Sequence, residues 1–150
     1  MSLKRTEQIK NDYKELISSI ESNEGFRNMP YQDTLGYPTI GYGTKLPISK
    51  KEAELLLENR LFALITELQL KEPFIKDLPV VIQEVLYEMA YQLGISGLLK
   101  FKHMLKACKE NDWDNMIKEM KDSKWYQQTP HRVDTLVNKI QQYTNNEISS

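Results

Sequence analysis

Four of the chain's six glycines fall between residues 25 and 43, and they interrupt a sequence that is otherwise patterned for helices. Gly25, Gly36, Gly41 and Gly43 stand among Tyr31, Tyr37, Thr39, Ile40 and Tyr42, which are β and turn formers. A continuous helix cannot pass through such a stretch. It predicts a small, twisted antiparallel hairpin with its turn near Thr34-Leu35-Gly36, inside a β lobe covering residues 24–47.

Either side of that lobe the apolar spacing is helical. Ile9, Tyr13, Leu16, Ile17 and Ile20 share one face and predict an N-terminal helix over 6–22, which Gly25 can end. Ser49-Lys50-Lys51-Glu52 is a capping box that opens a second helix, carrying Ala53, Leu56, Leu57, Leu61, Leu64, Ile65 and Leu68, and Pro73 marks its end. Val81, Val85, Leu86, Met89, Ala90 and Leu93 form the next, stopped at Gly94. Another holds Leu98, Phe101, Met104, Leu105 and Cys108, and Trp113-Asp114 begins one with Met116, Ile117 and Met120. Thr129-Pro130 supplies an N-cap and a first-turn proline for the last, with Val133, Leu136, Val137 and Ile140. A polar tail from Thr144 is expected to fray. The expectation is an α+β, mostly helical domain over 1–150, with the β-hairpin lobe packed beside a helical lobe (49–143 plus the N-terminal helix) and a cleft between them.

Composition removes several functional classes. With 20 Lys+Arg against 21 Asp+Glu, the chain has no bulk charge to hold it on a nucleic acid. One cysteine excludes an intramolecular disulfide framework, and no Cys/His cluster suggests a zinc site. The longest apolar runs, such as Leu61-Phe62-Ala63-Leu64-Ile65, are too short to cross a bilayer. The start, MSLKRTEQIKND, has no apolar stretch after its basic residues, so it reads as a soluble chain made in the cytoplasm without a secretion signal.

The chemistry concentrates in the glycine-rich segment. Glu24 is placed at the C-terminal end of a helix, where the macrodipole favours a carboxyl group in its protonated form, as a general acid requires. Asp33 follows before the turn, where a carboxylate stays solvated and ionised. Thr39, on the returning strand, offers a hydroxyl to orient a water. An acid, a carboxylate and a water-holding hydroxyl are the apparatus of glycoside hydrolysis. On spacing alone, an acid at a helix end and an Asp in a turn are more simply capping residues.

The whole string decides otherwise. Glu24-Gly25, Tyr31-Gln32-Asp33 and Gly36-Tyr37-Pro38-Thr39-Ile40-Gly41-Tyr42-Gly43 closely resemble the active-site segment of the phage-type lysozymes, the endolysin muramidases. Tyr91-Gln92, Gly94, Gly97 and Phe101 are similar to the helix pair that walls that family's cleft, and Trp125-Tyr126, Gln128-Thr129-Pro130 and Arg132 to its C-terminal signature. The likeness runs from Ile17 to Val137. It implies a lysozyme-like fold, Glu24 as general acid, Asp33 as carboxylate partner and Thr39 as the group that places the water. Tyr91, Gln92 and Gly43 are then substrate-binding, Tyr91 by sugar stacking and Gln92 by hydrogen bonding. Arg132 is supporting, since its family counterpart approaches the catalytic acid and orients it. Two departures stand out. Thr44 occupies the place where relatives commonly have His, and only Lys45 to Ile48 separate the hairpin from the Ser49 capping box, where many relatives insert another strand or loop.

Plainer readings accompany the weaker candidates. Arg132 reads equally as a surface arginine, and Tyr91 and Gln92 as packing at a helix end. His103 and His131 are too isolated for a metal site; Cys108 reads as core, and Trp113 and Trp125 as core or core-edge. Lys100, Lys102, Lys106 and Lys109 lie in a stretch without Asp or Glu, either a solvated helix surface or a local basic face for an anionic wall polymer.

The resemblance implies a cofactor-free, metal-free enzyme that hydrolyses the β-1,4 bond between N-acetylmuramic acid and N-acetylglucosamine in bacterial peptidoglycan, with inversion. Inversion requires a carboxyl separation of about 6.5–9.5 Å. It further implies a monomer without stable membrane association, reaching the wall through a separate membrane-permeabilising protein and leading to host cell lysis. The alternatives are a lytic transglycosylase, which needs neither Asp33 nor Thr39, and a non-catalytic wall-binding module on the same fold.

Overall fold

The structure, a computed structural model, describes residues 2–149. It is an α+β chain, mostly helical, with one three-stranded antiparallel sheet. The chain divides into two compact units, residues 1–54 and 55–150.

The first unit opens with α1 (Leu3–Asp12) and α2 (Lys14–Glu24). One helix was expected here, and Tyr13 divides it: its φ of −117° leaves the helical region. The hydrogen-bond ladder nevertheless passes through, since the Tyr13 N–H reaches the Ile9 carbonyl and the Ile17 N–H reaches that of Tyr13, both at 3.0 Å. The division is therefore a kink. The apolar stripe of Leu16, Ile17 and Ile20 is exposed rather than buried.

Strands β1 (Arg27–Gln32), β2 (Pro38–Gly41) and β3 (Thr44–Lys45) follow in the order β1-β2-β3. Tyr31 faces Thr39 and Arg27 faces Gly41, so β1 carries extra residues between those pairs. Pro30 sits in that irregularity, where its missing N–H interrupts no regular ladder. The β1–β2 turn lies at the expected place, with the Gly36 N–H on the Asp33 carbonyl at 2.9 Å. A single hairpin was expected, and a third strand corrects it. Gly41 and Gly43, at φ +69° and +77°, turn the chain around Tyr42 so that Thr44 faces Ile40 and Lys45 faces Thr39. Thr39 is thus flanked on both sides by paired strands, and it is the one buried side chain among the described residues of this unit.

The capping box is formed as its sequence predicts. The Glu52 N–H donates to Ser49 Oγ at 3.1 Å and the Ser49 N–H to Glu52 Oε1 at 2.9 Å, opening α3 (Lys50–Lys71), within which the boundary between units falls.

The second unit holds the apolar core. Helix α4 (Val80–Leu93) buries Ile82, Val85, Leu86 and Met89, and α9 (Pro130–Ser149) buries Val133, Leu136, Val137 and Ile140, both with i, i+3, i+4, i+7 spacing. Between them lie α5 (Ile95–Leu99), α6 (Lys102–Lys109), α7 (Trp113–Lys121) and α8 (Lys124–Gln128). The segment expected as one helix from Leu98 to Cys108 is two, parted at Phe101, whose ring stands edge-on to Trp125 at 6.1 Å. Cys108 and Trp125 are core; Trp113 is half-buried against Tyr143. The tail is helical beyond Thr144. Its hydroxyl donates to the Ile140 carbonyl at 3.0 Å and α9 continues to Ser149. No helix is long and apolar enough to cross a membrane among the described residues.

Candidate active site

Within the first unit, the structure gathers Glu24, Asp33, Thr39 and Gly43. Glu24 is the last residue of α2, and Gly25, at φ +73°, turns the chain away into β1. The carboxyl group of Glu24 rests on the backbone of Gly43. A β carbon placed there would lie 2.6 Å from both Cδ and Oε2. Only glycine leaves that space, and its positive φ suits the turn that delivers it.

Asp33 is held by main chain on one oxygen and by a side chain on the other. Oδ1 accepts the N–H groups of Leu35 at 2.9 Å and Tyr37 at 2.8 Å; Oδ2 is bound by the Lys45 ammonium. These bonds favour the charged form, and the carboxyl is held below the usual carboxylate range, first by Lys45 and next by the Tyr37 N–H. Lys45 is raised in turn, chiefly by its bond to Asp33.

Tyr37 ties Asp33 to Thr39. Its N–H holds the carboxylate, while its carbonyl accepts the Asp33 N–H at 2.9 Å and the Thr39 hydroxyl at 2.8 Å. Thr39 is 1% exposed, and its hydroxyl hydrogen is committed to Tyr37, so what it can offer another group is an accepting lone pair.

The remaining sequence candidates belong to the second unit. Tyr91 and Arg132 line one groove of about 520 Å³ together with Leu57, Leu61 and Glu88. Arg132 Nε donates to Glu88 Oε2 at 3.3 Å. Gln92 is committed elsewhere: its Oε1 accepts the Trp125 indole N–H at 2.9 Å and its amide nitrogen donates to Thr129 Oγ1 at 3.4 Å. Thr129 stands before α9 and its carbonyl accepts the Val133 N–H at 3.2 Å, while its hydroxyl donates to the Trp125 carbonyl at 3.2 Å. Lys102, Lys106 and Lys109 form an exposed i, i+4, i+7 stripe on α6, with Glu119 and Asp122 lining the same hollow as Lys100, Lys102 and His103. No group of three or more His, Cys, Asp or Glu side chains able to hold a metal occurs among the described residues.

Residues 21–142 match the family described as phage lysozyme, which takes in the gathered acids, the sheet and nearly all of the helical unit. The chain belongs to the phage lysozyme family. Membership makes it a glycoside hydrolase of the peptidoglycan-cleaving lysozyme class. It is similar to probable T4-type lysozyme 1 of Dictyostelium discoideum, 28% identical over 87% of this chain and 98% of that protein. Probable T4-type lysozyme 2 of the same organism is also 28% identical, over 81% and 93%. The pre-baseplate central spike protein Gp5 of Enterobacteria phage T4 is 30% identical over 79% of this chain, which spans about a quarter, 26%, of its length.

Lys45 is the site residue that the sequence reading passed over, taking it for the start of a connector. The signal was present but weak: a lone lysine two residues beyond the last glycine of the string, in a strand too short to show a period.

Proposed function

We propose that this phage lysozyme family member cleaves the β-1,4 bond between N-acetylmuramic acid and N-acetylglucosamine by single displacement with inversion. Glu24 gives its proton to the leaving glycosidic oxygen. A water attacks the anomeric carbon from the opposite face and passes its proton to Asp33, leaving a reducing end. Thr39 keeps the turn in register through the Tyr37 carbonyl and offers a lone pair of its hydroxyl oxygen to the water. Residues 1–150 act in this reading as one catalytic domain, without cofactor or metal.

The observation that carries the reading is the double tether through Tyr37. A capping Asp in an ordinary turn needs one or two amide bonds. Here the same residue that holds the Asp33 carboxylate also holds the Thr39 hydroxyl, so both groups move as one body. The Glu24 carboxyl is seated on the sheet that carries them. We place the enzyme's action at the bacterial wall, where cleavage leads to lysis after a separate protein has opened the membrane.

Digestion of purified peptidoglycan, with product masses read afterwards, tests this. Reducing N-acetylmuramic acid ends are expected. Anhydro-muramic ends would identify a transglycosylase, and binding to sacculi without sugar release would identify a non-catalytic module. Glu24→Gln is expected to abolish release while circular dichroism stays unchanged.

A further inference from the structure

The Lys45 ammonium takes up the oxygen of Asp33 that the backbone leaves free. Lys45 lies on β3 opposite Thr39, so the strand that presents it is paired to the strand carrying the water-placing hydroxyl. Its side chain is 58% exposed while that of Asp33 is 17% exposed, an arrangement in which an exposed lysine reaches in to a confined carboxylate. A surface ion pair of this kind contributes little to stability. Its effect on the orientation and charge of the carboxylate is a separate matter.

We propose that Lys45 is a positioning residue for hydrolysis, fixing the Oδ2 oxygen of Asp33 so that its remaining lone pair faces the attacking water. This rests on the reading of Asp33 as the carboxylate that receives the water's proton. Oδ1 already accepts two N–H groups, which leaves Oδ2 as the basic oxygen. One of the lone pairs on Oδ2 goes to Lys45 and the other stays open. Without Lys45 the Oδ2 oxygen has no fixed partner. The water would then meet a carboxylate held through Oδ1 alone, whose Oδ2 can tilt about that anchor, and small misplacements of a reacting group are costly.

The pair also sets the pH range. Lys45 faces Asp33 in the turn, Glu24 at the end of α2 and Tyr31 on β1, and its ammonium lies 5.7 Å from the Tyr37 ring centre. With Lys45 in place Asp33 remains ionised further into acid. Since the base must be ionised to act, removing the lysine moves the acidic limb of the rate profile to higher pH.

Lys45→Met, Lys45→Gln, Lys45→Arg and Asp33→Asn are to be compared on solubilised, uncrosslinked glycan strands, with kcat and KM followed across pH. For Met and Gln, kcat is expected to fall about ten- to a hundred-fold with KM nearly unchanged. Their acidic limb should move to higher pH, and Arg should restore most of both. Wild-type kcat and an unmoved acidic limb in either neutral variant that folds by circular dichroism would overturn the proposal. So would a loss confined to KM. Activity retained by Asp33→Asn would instead remove the underlying reading. An inactive Asp33→Asn beside a fully active Lys45→Gln would remove the Lys45 proposal alone.

Discussion

The backbone of Gly43 is the seat of the Glu24 carboxyl group: no atom can be added at the Gly43 β position without meeting Cδ and Oε2 of Glu24 at 2.6 Å. The proposed general acid is therefore located by the absence of a side chain on a neighbouring turn. That relation can be separated from ordinary glycine effects, because Gly41 in the same turn also has a positive φ, +69°, and open space around its β position.

Gly43→Ala and Gly41→Ala should each cost about 1–2 kcal/mol, the strain of a left-handed alanine. Only Gly43→Ala should displace Glu24 and lower peptidoglycan hydrolysis, by about a hundred-fold for a shift near 1 Å. Thermal melts and rates per folded molecule check the contrast; equal losses of activity would show that strain alone is responsible.

Thr39→Val removes the hydroxyl at nearly constant volume. The Tyr37 carbonyl keeps the Asp33 N–H, so it is not left without a partner, and the expected loss of stability is about 0.5–1.5 kcal/mol. Activity should fall much further, and Thr39→Ser should recover a large part of it. Urea titration paired with a rate assay reads both quantities.

The capping box predicts a pH dependence of stability. Glu52 is held below its ordinary value of 4.5 by the backbone N–H of Ser49 first and its hydroxyl next. A lowered folded value means that the charged form is favoured by folding. Its contribution is complete above the unfolded value and disappears as pH falls through the folded one. Glu52→Gln should therefore be less stable than the parent at neutral pH, and the gap should close as pH falls below 4.5 through the folded value. Ser49→Ala should cost about 1 kcal/mol at neutral pH.

Gln92 offers a test of packing against substrate contact. Trp125 is 4% exposed, and its indole N–H has Gln92 Oε1 as its acceptor. Gln92→Ala leaves that donor unmade, at a cost of about 1–3 kcal/mol, whereas Gln92→Glu keeps an acceptor. Urea unfolding followed by tryptophan fluorescence should show the difference. A change in KM without a change in stability would place Gln92 at the substrate instead.

Long periodic elements were readable from the chain. The buried faces of α4 and α9 follow the spacing of Val85, Leu86 and Met89 and of Val133, Leu136, Val137 and Ile140. The Ser49–Glu52 box and the turn after Asp33 were readable too, because each rests on local hydrogen bonding. Features fixed by pairing across the chain were not. A two-residue β3 has no period, so neither the third strand nor the reach of Lys45 to Asp33 could be seen. The kink at Tyr13 has no glycine or proline to announce it, and the break at Phe101 accompanies a ring contact with a residue far along the chain. The active-site string was recognisable as a pattern. The part of Tyr37 within it lies in its main chain, to which side-chain chemistry gives no clue.

The grip on Asp33 has a consequence for how this segment can diverge. Leu35 and Tyr37 hold the carboxylate with their amides, and their side chains are exposed. Nearly any amino acid can supply that N–H. Proline alone cannot, so at these two positions nineteen letters of the alphabet preserve the bond and one forbids it. A library randomised at 35 and 37 should return active clones of widely different character with a gap at proline, leaving both surfaces open to selection for whatever wall polymer the enzyme meets.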